Sequence, residues 1–147
     1  MTKIYLAGPF FDDEQIERIS RMEEALTANP TVASFFSPRK EEFENRVMGT
    51  PEWAADVFEM DRVNIDNADV VTAVIDYEGT YVDPGTAWEI GYANAMGKPV
   101  LLIKEKAEGS VNLMMGIPAH GVLTDVAEIA NYDFNEMPRS SWQGDMF

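Results

Sequence analysis

Residues 69–104 read DVVTAVIDYEGTYVDPGTAWEIGYANAMGKPVLLIK. Four pieces follow one another: an apolar run, a loop, a helix and a second apolar run. Residues 69–76 (DVVTAVID) are rich in β-branched side chains, which suit a pleated, buried strand. Asp83-Pro84 opens the helix, because Asp is a strong N-cap and Pro fits the first helical turn. Gly97 closes it. Residues 98–104 (KPVLLIK) resume a strand. Strand, helix and strand in alternation imply parallel pairing, with the helix lying on the sheet.

The same alternation extends both ways. Upstream, residues 3–7 (KIYLA) form a strand stopped by Gly8-Pro9. Asp12 or Asp13 caps a helix reaching about Ala28, with Ile16, Ile19, Met22 and Leu26 near one face. Residues 31–37 (TVASFFS) are a second strand, residues 39–50 a polar loop, and Thr50-Pro51 starts a helix that reaches about Asn67. Downstream come a short helix over 112–115, a weak fifth strand over 121–124 and a last short helix over 125–131. Trp142 and Phe147 predict a packed tail. The expected architecture is α/β: a single domain over 1–147, with a doubly wound, flavodoxin-like, five-stranded parallel sheet and helices on both faces. Ligands in such folds bind at the carboxyl ends of the strands. Here that means Gly8-Pro9-Phe10-Phe11 and residues 77–83.

Composition narrows the function. Eleven Lys and Arg oppose 26 Asp and Glu over 147 residues, a net charge of −15. Nucleic-acid backbones and anionic membranes are poor partners for such a chain. It has no cysteine, so disulfides, thiol catalysis and thiolate metal sites are excluded. A lone histidine, His120, makes no His-rich metal site. No apolar run approaches the roughly 20 residues of a membrane span, and MTKIYLAGPFF lacks the flanks of a signal peptide. A cytoplasmic location is expected. Neither a GxGxxG nor a GxxxxGK[ST] cradle occurs. No cofactor and no metal are expected.

Three carboxylates stand out from the acidic surplus. Residues 84–97 (PGTAWEIGYANAMG) carry one charge, Glu89, on a helix apolar nearly all round, which predicts burial. A lone Glu there needs a partner or a raised pKa. Asp61 lies four residues after Val57 and four before Ile65, on the expected inward stripe of Ala54, Val57, Phe58, Ile65 and Ala68; Asn64, one turn on, allows a polar notch. Asp83 serves as a cap and also stands at the strand-end mouth. Each has a purely structural reading: a paired Glu, a stripe edge, a cap. Acids without a nucleophilic Cys or a Ser–His pair fit glycosyl transfer, in which one carboxylate attacks an anomeric carbon. Tyr5, Phe10, Phe11, Tyr77, Tyr81 and Trp88 are aromatics suited to stacking a base or to packing a core.

These residues resemble the nucleoside 2-deoxyribosyltransferase family over nearly the whole chain. The most specific part is Asp83-Pro84-Gly85-Thr86-Ala87-Trp88-Glu89-Ile90-Gly91-Tyr92-Ala93. Asp61-Arg62-Val63-Asn64, Val111-Asn112-Leu113-Met114 and Asn131-Tyr132-Asp133-Phe134-Asn135 match further family segments. The resemblance implies that Glu89 is the nucleophile on C1′, that Asp61 and Asp83 contact the base and manage its proton, and that Tyr5 orients Glu89. It implies substrate contacts from Gly8, Pro9, Phe10, Phe11, Gly85, Asn112, Met114 and the C-terminal residue. That residue is usually Tyr and is Phe147 here, which keeps the carboxylate and loses the phenol. The Gly-Pro-Phe-Phe loop is nearer the purine-preferring branch.

By the same resemblance the partners are deoxynucleosides and free nucleobases. The assembly is a homo-oligomer, dimer-based and often a hexamer, with sites shared between subunits. The expected reaction moves 2-deoxyribose between bases through a covalent deoxyribosyl-glutamate, with retention of the β-configuration. The alternative in chemistry is an N-glycosidase that gives the sugar to water from the same Glu. Its nucleotide-cleaving form would need phosphate donors in residues 7–13, which carry no Lys, Arg or Ser. The alternative outside chemistry is a flavodoxin-like binding module.

Overall fold

A computed structural model describes all of residues 1–147. Its strands are β1 (Thr2–Ala7), β2 (Val32–Phe36), β3 (Val70–Val74), β4 (Val100–Ile103) and β5 (Gly121–Leu123). Its helices are α1 (Asp13–Ala28), α2 (Pro51–Asn67), α3 (Pro84–Ala95) and the short α4 (Leu113–Gly116). The strand order is β2-β1-β3-β4-β5, and every pairing is parallel. This is the expected doubly wound sheet. The chain steps from β1 outward to β2, then crosses back to β3 on the other side of β1. The strand direction of winding therefore reverses between β1 and β3, which opens a crevice at their carboxyl ends.

The strands sort their side chains by parity. Ile4 and Leu6 of β1, with Val70 and Val74 of β3, pack under Ile19, Met22 and Leu26 of α1 and Val126 and Ile129 of the closing 3-10 turn. Tyr5 and Ala7, with Val71 and Ala73, pack under Ile65 of α2 and Ile90 and Ala93 of α3. Both faces are covered, so the strands read as continuous apolar runs. Gly8 leaves β1 where no side chain fits: a Cβ there would lie 2.6 Å from Ile19 Cδ1 and 3.1 Å from Val74 Cβ.

The caps fall where the sequence puts them. Asp12 accepts from the Gln15 amide, Thr50 from Trp53 and Asp83 from Thr86. The expected last helix is instead a 3-10 turn, Val126–Ala130, closed by a capping box between Asp125 and Glu128. The tail is pinned by bridges from Ser140 to Gly121 and Met146 to Val111, and Trp142 packs on the core as expected, while Phe147 is 43% exposed.

Two expectations need correction. The helix over residues 84–97 is not buried all round: in α3 only Thr86, Ile90 and Ala93 are buried, and Trp88 is 45% exposed. On α2 the inward stripe shrinks to Ile65, with Ala68 just past the helix end; Phe58 is 51% exposed. In both cases the sheet offers room for one narrow seam. Other apolar side chains are exposed, among them Phe58 and Trp88; Trp88 stacks on Tyr92 and meets the edge of Phe58. No helix is long and apolar enough to cross a membrane.

Thr72, at the centre of β3, has a fully buried hydroxyl without a hydrogen-bond partner. Burying an unpaired hydroxyl is costly, and valine has nearly the same shape. Thr72→Val is expected to raise the unfolding free energy by about 1 kcal/mol, read by urea denaturation with an unchanged m value. A loss of stability would contradict the reading of Thr72 as unpaired.

Candidate active site

The site is built on the α2/α3 side of β1. Tyr5 sits in the middle of that strand with no exposed surface, and its ring stacks on Phe36 at 5.7 Å. Two packed rings leave the phenol one direction to reach. Its hydroxyl donates to Glu89 Oε2, from the middle of α3. Glu89 forms no ion pair with any Lys or Arg, so the paired-Glu reading is excluded. Burial pushes its carboxyl up to about 8; the Tyr5 hydrogen bond opposes this, and the nearby Asp61 and Asp83 charges add to it. Burial raises the Tyr5 phenol well above its ordinary value, and the Glu89 and Asp61 charges add to that.

Asp61 reaches the same notch from α2. Its Oδ1 is buried with no partner, and burial pushes the carboxyl up to about 6. Asn64 does not furnish the polar notch expected one turn on, because its side-chain amide donates 2.8 Å back to the Met60 carbonyl. Asp83 is buried at the start of α3, where Oδ2 accepts from the Thr86 amide at 2.8 Å and its hydroxyl at 3.0 Å. The cap reading of Asp83 therefore holds, with Oδ1 left over. Gly85 packs closely beside it: a Cβ there would lie 3.2 Å from Asp83 Oδ2. Tyr5, Asp61, Asp83 and Glu89 thus share one electrostatic neighbourhood, drawn from β1, α2 and the start and middle of α3. A carboxyl held near neutrality and a second above it can exchange a proton at physiological pH. No three His, Asp or Glu side chains converge closely enough to hold a metal ion.

The sequence profile described as "Nucleoside 2-deoxyribosyltransferase" matches residues 4–136, most of the chain. The chain belongs to the nucleoside 2-deoxyribosyltransferase family. It is 32% identical to the nucleoside deoxyribosyltransferase of Limosilactobacillus fermentum over 151 aligned positions, covering 91% of this chain and 87% of that one. It is 31% identical to that of Lactobacillus johnsonii, covering 97% and 100% respectively. Its fold superposes with a TM-score of 0.83 and 36% identity on a 2-deoxyribosyltransferase from Bacillus psychrosaccharolyticus, covering 95% and 98%. The chain is thus an enzyme of the nucleoside deoxyribosyltransferase class, and its relatives' names do not favour the hydrolase alternative.

The other residues expected at a deoxyribosyltransferase site divide into two groups. Gly8, Pro9, Phe10 and Phe11 follow β1 at the crevice, and Phe11, 70% exposed, meets the edge of Tyr77 from the loop after β3. Asn112, Met114 and Phe147 form a separate cluster around α4. Asn112 caps that helix through the Met114 amide. The Phe147 amide donates to the Val111 carbonyl, the Leu113 amide donates to the Phe147 carbonyl, and the Phe147 ring meets the edge of Tyr81. None of the three hydrogen-bonds Glu89 within the chain. A cavity of about 490 Å³ lies elsewhere, between residues 42–46 and Asp56. Sequence reasoning missed Phe36, the ring that braces Tyr5. Its signal was strand parity in residues 31–37: Phe35 packs on the α1 side and Phe36 on the other.

A carboxyl with a raised pKa in the fold binds its proton more tightly there than in the unfolded chain. Stability then falls as pH rises from the ordinary value of 4.5 towards about 8, and levels off above that. Glu89→Gln keeps the acceptor for Tyr5 and removes the buried charge. Its melting temperature should match wild type near pH 4 and exceed it increasingly through neutrality, as followed by calorimetry. A difference that does not depend on pH would contradict the burial of this charge.

Proposed function

We propose that the enzyme transfers 2-deoxyribose from one nucleobase to another through a covalent ester on Glu89. The single observation carrying this reading is a partly buried carboxylate, free of cations, hydrogen-bonded by Tyr5 and lying beside a second acid of raised pKa. Ionised Glu89 attacks C1′ of a 2′-deoxynucleoside. The glycosidic C–N bond breaks, and the departing base takes a proton from Asp61. An incoming base then attacks C1′, the ester bond breaks, and the proton returns to Asp61. Two displacements at C1′ retain the β-configuration. Tyr5 aims the attacking oxygen, and Asp83 Oδ1 is available to a base edge. Gly8, Pro9, Phe10 and Phe11 form the wall against which a base can stack.

Residues 1–147 act as one domain in this reading, in the cytoplasm, on neutral deoxynucleosides and free bases and without cofactor or metal. The active form is a homo-oligomer. Trp88 and Phe58 leave one apolar patch exposed, and Leu113, Met114 and Ile117 another; surfaces of this kind mark contact with a partner. A second copy laid over the mouth supplies Asn112, Met114 and the Phe147 carboxylate to a neighbour's Glu89.

The test is a base-exchange panel. Deoxyadenosine and thymidine serve as donors, and adenine, hypoxanthine, cytosine and thymine as acceptors, with an arm lacking acceptor. Wild type should form the exchanged nucleoside, with little free sugar when an acceptor is present. Glu89→Ala should lose exchange by roughly a thousandfold or more. Undiminished exchange by that variant would overturn the role of Glu89, and equal sugar release with and without acceptor would indicate a hydrolase.

A further inference from the structure

At the opposite end of the sheet from Glu89 lies a cavity of about 380 Å³, lined by Asn94, Gly97, Lys98, Pro99, Pro118, His120, Met137 and Arg139. Three of its side chains are basic and none is acidic, in a chain whose net charge is −15. The arginines elsewhere follow the opposite rule. Arg18, Arg21, Arg39, Arg46 and Arg62 are each paired with Asp or Glu. Arg139 alone makes neither an ion pair nor a hydrogen bond.

The neighbouring donors are set but not exhausted. Lys98 Nζ donates to the Asp66 and Ala68 carbonyls at 2.8 and 2.6 Å, which leaves its third proton free. His120 Nε2 lies 2.7 Å from the Met137 carbonyl and donates to it, leaving Nδ1 without a partner. The carbonyls in the last turn of α3 are engaged within the chain: Tyr92, Ala93 and Asn94 accept from Met96, Lys98 and Gly97. The rim is stiff. It contains Pro99 and Pro118, and Met137 is held at φ +50° by a bond from its amide to the Asp133 carbonyl.

We propose that this cavity binds a small oxyanion of the phosphate class, with Arg139 as its principal contact. Two fixed positive charges, Lys98 and Arg139, share one hollow, and an anion placed between them removes their repulsion. A guanidinium offers paired donors matched to phosphate oxygens, and an ammonium adds a point charge. Free phosphate and a phosphomonoester share this chemistry. The Glu89 mouth lacks such donors, so the two sites accept ligands of different charge.

The chain has one histidine, so its imidazole gives a single, unambiguous ring signal in NMR. The full-length protein is titrated at constant ionic strength with inorganic phosphate in one arm and 2-deoxyribose 5-phosphate in the other. The His120 signal should shift saturably within about 10 mM of at least one of them, and the tighter arm identifies the source. Arg139→Gln should weaken that binding about tenfold or more, and Arg139→Lys should restore part of it. Arg139 is exposed and remote from Glu89, so base exchange without phosphate should be unchanged in both variants. A shift that does not saturate, or one equally strong in Arg139→Gln, would overturn the proposal.

Discussion

One hydrogen bond ties the sheet to its chemistry: the Tyr5 phenol on the Glu89 carboxylate. It joins an inner strand to a helix on its face, at a place where no cation is present to stabilise a charge. Everything around it serves to keep both partners in register. Phe36 stacks on the Tyr5 ring. Ile90 and Ala93 seat α3 on the sheet, and Asp83 fixes the first turn of that helix through Thr86. A carboxylate so placed is costly to the fold, since water solvates it poorly; in the proposed reaction the same desolvation favours its attack.

Asp61 gives this cost a use. Its unpartnered oxygen lies in the same notch, and its charge opposes ionisation of Glu89. Two acids in one field titrate as a set, with one proton shared over the interval between about 6 and about 8. With Asp61 the stronger acid, the proton rests on Glu89 over that interval; the proposed reaction uses the reverse arrangement, reached when the proton passes to Asp61 and leaves the charge on Glu89. Proton donor and nucleophile are then present together near neutral pH. Asp83 has its Oδ2 occupied by the helix cap, which makes it the more structural member of the three.

The sheet was legible in the sequence because it depends on local signals. β-branched runs, Gly-Pro and Asn-Pro stops and Asp or Thr caps mark strand and helix ends, and alternation of the two forces parallel pairing. Glu89 was legible for a related reason, as a single charge in an otherwise uncharged helix. What could not be read was the extent of burial. Residues 84–97 and the stripe from Ala54 to Ala68 look buried all round or along a broad face, yet few of their apolar groups are buried. Periodicity reports which residues share a face; it does not report how wide a seam the sheet offers. The bracing of Tyr5 by Phe36 was hidden in the same way, because it depends on the pairing of β1 with β2, 31 residues apart in register between Tyr5 and Phe36.

The central claim is that Glu89 ionises late because it is desolvated, with Tyr5 holding its pKa down and Asp61 holding it up. The most direct test is carbon-13 NMR titration of the Glu89 carboxyl, assigned by its loss in Glu89→Gln. Wild type should titrate near 8. The value should rise in Tyr5→Phe, which loses the hydrogen bond, and fall in Asp61→Asn, which loses the like charge. Titration of Glu89 near the ordinary 4.5, unmoved by either change, would contradict the account.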